Sequence, residues 1–273
     1  PILSTQNPQS LLEKRAKDQL EGHVKEEEKG QWEKDQEPLL LETVASELGI
    51  DVKDIADFEL NLFDSQPATL GGMKSEFLNS ARLDNLATCF VATEGLIAHS
   101  DSGLEEDEDI SLIAMFDHEE VGSGSTQGAG SPVMGGAVKL ISEALCDRPH
   151  GLGADLHSKT IHNSFVLSVD MAHAVHPNYA SKHEKNHQPK LNAGMVVKTN
   201  QNQRYSTNVV TGFIVREMAR KTGLVSLQEF VVRNDCPCGT TIGPIISANT
   251  GIRTIDTGMP QLSMHSCREV MGI

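Results

Sequence analysis

Apolar positions recur along this chain with two different periods, and the places where the period changes mark out its elements. Leu40, Val44 and Leu48 fall at helical spacing, and Gly49 follows where such a helix would stop. Phe58, Leu60 and Leu62 then alternate with other residues, which predicts a half-buried strand. Pro67 and the Gly71-Gly72 pair break that pattern, and a domain boundary is expected after residue 72. Residues 86–98 read as a helix. The run ISLIAMF at 110–116 is almost continuously apolar, as expected of a strand covered on both faces. A Gly- and Ser-rich turn follows, and then a helix near 133–145. SFVLSV at 164–169 predicts a second buried strand. Val210, Ile214 and Met218 form a helical stripe, with Ser206 or Thr207 as caps and Gly223 as the stop. Residues 227–232 and 252–255 predict further strands. Strands alternating with helices imply an α/β domain with a mixed, largely parallel sheet flanked by helices. Such sheets bind ligands at the carboxyl ends of their strands.

Composition narrows the function classes. Residues 11–38 are rich in Glu, Lys, Asp and Gln, with Trp32 as the lone aromatic, and read as a charged helix or a solvated insertion. The formal net charge of -15 argues against nucleic acid or an anionic membrane as a partner, because both would repel the chain. No stretch approaches the roughly 20 apolar residues needed to cross a bilayer, and no basic leader precedes an apolar core. Five cysteines (Cys89, Cys146, Cys236, Cys238, Cys267) are an odd set without framework spacing, which points to reduced thiols and a cytoplasmic location. Cys236 and Cys238 are spaced as Cys-x-Cys, a poor zinc clamp.

The informative feature is where metal-ligand residue types fall. Asp117, Glu119 and Glu120 come just after the first predicted buried strand. Asp170 comes just after the second, with His173 and His176 behind it. His265 follows the strand near Ile255, and Asp84 lies in ARLDNL ahead of the helix at 86–98. Parallel strands would bring these groups to one edge of a sheet. Carboxylates gathered in one cleft repel unless a cation neutralises them, so a metal site is expected. Oxygen ligands with one or two imidazoles suit zinc, or manganese or cobalt in its place. The adjacent Glu119 and Glu120 suggest divided labour, one as ligand and one as general base, and a metal pair could polarise a carbonyl and acidify a water. Taken singly, each residue has a plainer reading: Glu-Glu as a solvated strand end, Asp117 as a turn cap, a lone His as structural. Four strand ends carrying such groups together point to a metal-dependent enzyme, and the pattern by itself goes no further.

QPATLGG, RLDNL, FDHEEVGS, VDMAHAVHPNY, NDCPCGTTIGP and MPQLSMHSCRE, in this order from about Ile50 onward, resemble the aspartyl aminopeptidases, a family of co-catalytic zinc exopeptidases. The resemblance implies a zinc-exopeptidase fold and removal of N-terminal Asp or Glu from peptides, with two zinc ions in a complete active site. It also implies roles: Asp84 bridging both metals, Glu119 as general base, Glu120 and His265 as ligands of the second zinc, and Asp170 as a ligand of the first. His173 and His176 would line the substrate site. Lys198 and Tyr205, in VVKTNQNQRY, match the positions that hold the substrate's acidic side chain.

The resemblance carries departures too. Family members begin with a His-x-Asp motif whose His binds the first zinc, and nothing before Asp84 matches it. The chain is therefore expected to be cut at both ends, with residues 1–72 a partial oligomerisation domain and 73–273 an incomplete catalytic domain. Family members assemble as homo-oligomers, usually dodecamers. The competing expectations are a relative with another peptidic substrate, which would not need Lys198 and Tyr205, and a non-catalytic subunit of the same fold.

Overall fold

A computed structural model describes residues 31–146, 155–223 and 225–273; most of the charged segment 11–38 lies outside them. The described residues divide between Phe63 and Asp64 into two units. In the first, helix α1 (Gln31–Lys34) precedes helix α2 (Pro38–Leu48), which starts on a proline and is closed by Gly49 in the left-handed conformation (φ 66°). The helix is where the apolar spacing puts it, but its buried face lies one residue along, at Leu41 and Ala45, while Leu40 and Leu48 are exposed. Ile55 completes this small core, and Trp32 packs edge-on against Phe58 with ring centroids 5.5 Å apart. The strand expected at Phe58, Leu60 and Leu62 does not form. Among the described residues nothing pairs with this segment, and Leu60 and Leu62 face solvent.

The second unit carries nine strands among its described residues: β1 (Thr69–Gly71), β2 (Phe77–Ser80), β3 (Phe165–Val169), β4 (Ala172–His173), β5 (Met195–Thr199), β6 (Leu227–Val231), β7 (Arg253–Gly258), β8 (Pro260–Leu262) and β9 (Glu269–Gly272). Its helices are α3 (Leu83–Ser102), α4 (Val133–Ala144), α5 (Leu156–Asn163), α6 (Val209–Thr222) and α7 (Gly243–Thr250). Four strands form a sheet in the order β3-β7-β5-β6, parallel at β3–β7 and β5–β6 and antiparallel at β7–β5. The other five form a sheet in the order β1-β2-β9-β8-β4, antiparallel except where β4 runs with β8. The α/β class with mixed sheets is as expected, but the pairing is not largely parallel, since four of the seven strand pairings among the described residues are antiparallel. The Gly71-Gly72 break is the turn of the β1–β2 hairpin, so Thr69–Gly71 pairs within this unit.

Four further expectations are not met. Residues 110–116 run without strand pairing, and Ile110, Leu112 and Met115 are exposed. An apolar run predicts burial, but only a partner strand's N–H and C=O groups make it a strand, and no described residue supplies them. Strand β3 is an edge strand, with Phe165 and Leu167 partly in solvent instead of covered on both faces. Helix α6 is capped by Asn208, in a reciprocal capping box with Thr211, and not by Ser206 or Thr207. Its buried positions are Thr211, Gly212 and Val215, so the Val210–Ile214–Met218 stripe is offset by one residue from the face that packs; Gly223 does end the helix.

The four-stranded sheet is locked to the loops around it by one buried carboxylate. Asp256, on β7, is fully inaccessible to solvent. Its Oδ1 accepts hydrogen bonds from Ser168 Oγ (2.7 Å) and Thr241 Oγ1 (2.6 Å), and its Oδ2 accepts from the N–H and Oγ of Ser206 (2.6 Å each). It thereby ties β3, the segment before α6 and the segment before α7 to the centre of the sheet. In the same sheet, Val197 and Ile255 pack with Val215 of α6. Hydrogen bonds to a charged group contribute about 1.5–3 kcal/mol each, and donors left unpaired in the interior cost about as much again. Asp256→Ala should therefore lower unfolding stability by at least about 3 kcal/mol. Urea unfolding would measure this, and a loss below about 1 kcal/mol would show that the network is not what joins these segments.

Candidate active site

Several loops, together with strands β4 and β5, bring ionisable groups into a single cleft of about 260 Å³. Asp84 enters where β2 gives way to α3. Its φ/ψ are non-helical, the Asp84–Asn85 peptide is cis, and Asn85 Nδ2 donates to the Val169 carbonyl at 2.8 Å. Glu119 and Glu120 lie in a turn that follows the unpaired 110–116 run. That turn is closed by Gly122 N–H to Glu119 O and Ser123 N–H to His118 O, both at 2.9 Å. Asp117 faces solvent and accepts from the His118 N–H at 2.8 Å, the plain turn-capping role. Asp170 follows β3 directly, and its N–H donates to Thr257 O at 3.1 Å. The backbones come so close here that a side chain at Gly258 would collide with the Asp170 carbonyl. His265 sits in the loop between β8 and β9 at φ 65°.

The ligand-type atoms of Asp84, Glu120 and His265 lie within 4.8 Å of one another. His265 Nε2 stands 3.1 Å from Asp84 Oδ2 and 2.9 Å from Glu120 Oε1. Asp84 is pushed up to about 8 by burial, by a hydrogen bond and repulsion from Asp170, and by the charges of Glu120 and Glu269. Carboxylates held this close require either a shared proton or a cation, and two oxygens with an imidazole nitrogen are a donor set that suits zinc. The residues present therefore fit a metal ion. Glu119 lies in the same cleft outside that group. Burial and the charges of Asp170 and Glu120 raise its carboxyl above the usual range, against the opposing pull of Lys198 and His265.

Lys198, on β5, is 3% exposed. Its Nζ donates to the Met171 carbonyl at 2.6 Å, lies 3.6 Å from Asp170 Oδ2, and stands 5.6 Å from the centre of the Tyr205 ring. An ammonium has three donors, so this cation keeps capacity for a ligand on the cleft. Burial and a hydrogen bond with Cys238 push the Tyr205 phenol above its usual range. For His173, desolvation by the cleft walls and the charges of Lys198, His183 and His265 depress the imidazole.

Of the residues singled out from the sequence, Asp84, Glu119, Glu120, Asp170, His173, Lys198, Tyr205 and His265 all line this cleft. His176 does not. It lines a neighbouring cleft of about 500 Å³ that shares His173, Phe230 and Met264 with the first, and its Nδ1 accepts from the Asn178 N–H at 3.1 Å. Sequence reasoning missed Phe230, Cys238 and Thr241 on the cleft wall, and the buried acids Asp256 and Glu269. Asp256 directly follows the strand predicted at 252–255 and Glu269 ends MHSCRE, and that placement was the available signal. All five cysteines are free thiols.

Comparison with known proteins adds the decisive observation. Residues 4–273 match the family described as aminopeptidase I zinc metalloprotease (M18). The chain belongs to the M18 family. It is 51% identical over 237 residues to the probable aspartyl aminopeptidase of Ricinus communis, covering 86% of this chain and 47% of that protein. Among solved M18 structures, it is similar to one described as the cryo-EM structure of the Ape4 and Nbr1 complex, with TM-score 0.81, 44% identity, and coverage of 87% of this chain and 46% of that one. It is also similar to the mApe1 dodecamer of Saccharomyces cerevisiae, with TM-score 0.74, 35% identity, and coverage of 86% and 51%. This M18 chain spans about half the length of the relatives it matches. Among the described residues, no helix is long and apolar enough to cross a membrane.

Proposed function

We propose that this cleft is the centre of a zinc aminopeptidase that removes Asp or Glu from the N-terminus of peptides. The observation that carries the reading is the buried Lys198 ammonium, opening on the same cleft as the Asp84–Glu120–His265 group. A neutral-residue peptidase has no use for a desolvated cation there, whereas a substrate carboxylate would pair with it and with the Tyr205 hydroxyl. Asp84, Glu120 and His265 would hold one zinc, and Asp84 with Asp170 would contribute to a second. Bound there, zinc supplies polarisation of the scissile carbonyl and acidification of a water. Glu119 takes a proton from the attacking water and returns it to the leaving amine. His173 lines the path of the peptide, and His176 lines its continuation in the neighbouring cleft.

The protein is proposed to act as a homo-oligomer, by likeness to the dodecameric relative, and in the cytoplasm, where its free thiols would persist. Its partners are peptides with acidic N-termini.

Metal stoichiometry tests the ligand assignment. Asp84, Glu120 and His265 give the one position three protein ligands, while Asp84 and Asp170 give the other two among the described residues. Zinc is held firmly by three or four ligands. Calorimetric titration of metal-stripped protein should show one tight zinc and a much weaker second, with hydrolysis of an Asp-peptide rising as the second fills. No zinc binding at all would end the reading, and two equally tight sites would refute this division of ligands.

A further inference from the structure

Two of the residues assigned to the metal come from loops that no strand pairing joins directly. Asp84 lies in the non-helical first turn of α3, just after β2, and His265 between β8 and β9. What joins them is Glu269. It sits at the start of β9, the strand that lies between β2 and β8 in the five-stranded sheet, with Ser80 of β2 as its cross-strand partner. The strands on either side therefore run out into the two ligand-bearing loops next to this one side chain. Glu269 is 1% exposed. Its Oε2 accepts the Asp84 N–H at 2.8 Å, and its Oε1 accepts the His265 N–H at 2.7 Å.

We propose that Glu269 is a positioning residue for the metal centre: its buried carboxylate fixes the separation of Asp84 and His265 by taking one backbone N–H from each. The inference rests on the zinc reading of the Asp84–Glu120–His265 group. Burying a carboxylate is costly unless its oxygens are hydrogen-bonded, and here each oxygen has one N–H donor. His265 sits at φ 65°, a left-handed conformation that is unfavourable for a non-glycine residue and persists only where its surroundings hold it. The bond from its N–H to Glu269 is such a hold. Glutamate meets the geometry where its neighbours in chemistry do not. Aspartate is one methylene shorter, so its carboxylate stops short of the two N–H groups. In glutamine the amide nitrogen is a donor, so one of the two N–H groups would face another donor. Glu269 also places a negative charge behind the cluster, one of those that repel the Asp84 carboxylate, and a divalent cation would gain from it.

The experiment compares metal-stripped wild type, E269Q, E269D and H265A by calorimetric zinc titration, with the melting temperature of the zinc-free proteins followed in parallel. H265A removes an assigned ligand and should abolish tight binding. E269Q should weaken zinc roughly 10- to 100-fold, the usual scale for partners of metal ligands. E269D should fall in the same direction, and both should retain a cooperative zinc-free melting transition. A residue that serves only the fold would lower the melting temperature and leave the zinc affinity of the folded protein unchanged. E269Q at wild-type affinity beside a disabled H265A would overturn the proposal and leave the metal site standing. H265A at wild-type affinity would overturn the metal reading and the proposal with it. Should E269Q not fold, E269D decides: wild-type affinity there overturns the positioning role, because a shorter carboxylate cannot hold both loops.

Discussion

Replacing Glu119 by Gln is expected to cut turnover by roughly 10²- to 10⁴-fold while the protein keeps its zinc. The two halves of that result come from different parts of the structure. Glu119 shares the cleft with the assigned ligands, but it is Glu120 whose oxygen joins Asp84 and His265 within 4.8 Å. A glutamine at 119 has the same shape and cannot accept a proton, so it removes the base without disturbing the ligand set. Glu120→Gln should do the opposite: it weakens a ligand that lies 2.9 Å from His265 Nε2, and zinc content should fall first, with activity following it. Zinc analysis of each purified variant beside kcat on an Asp-peptide separates the two. If zinc is lost from Glu119→Gln and retained by Glu120→Gln, the neighbours have been assigned the wrong way round.

That distinction shows where reading the chain alone runs out. Adjacent Glu119 and Glu120 look alike as residues, and in the sequence only the resemblance separates their roles. The elements that were legible are those fixed by local signals. The α2 helix runs between Pro38 and Gly49, and α6 ends at Gly223, because start and stop residues act within one turn. The faces of both helices were misjudged by one residue. An apolar stripe shows that a side faces the interior, but small or polar residues such as Ala45 and Thr211 can occupy the tightest positions. Residues 110–116 carry a strand's composition without a strand's pairing, since pairing depends on a partner far away in sequence. The same holds for Glu269. Its burial depends on the convergence of two N–H groups, one of them 185 positions away. His176, which the resemblance puts on the substrate site, is carried by the backbone into the adjoining cleft.

Lys198→Ala should reduce kcat/KM for Asp- and Glu-peptides by roughly 10- to 150-fold and leave Ala- and Leu-peptides nearly unchanged. The magnitude is that of a single charge-assisted hydrogen bond removed from a desolvated place, about 1.5–3 kcal/mol, at about 1.36 kcal/mol per tenfold. The selectivity follows from what the ammonium already does. Nζ gives one hydrogen bond to the Met171 carbonyl and stands 3.6 Å from Asp170, so two of its three donors have candidate partners, and among the described residues the third is left for the cleft. A substrate carboxylate there would meet a deeply buried cation, where solvent screens little. An apolar side chain offers the remaining donor no partner, so removing the ammonium costs such a substrate little. Lys198 also neighbours Asp170, an assigned ligand of the weaker zinc, so zinc content must be measured in the same variant. Zinc at the wild-type level with a loss confined to acidic peptides supports the role. Equal losses on every substrate, with zinc intact, would mean that Lys198 maintains the site and does not read the substrate.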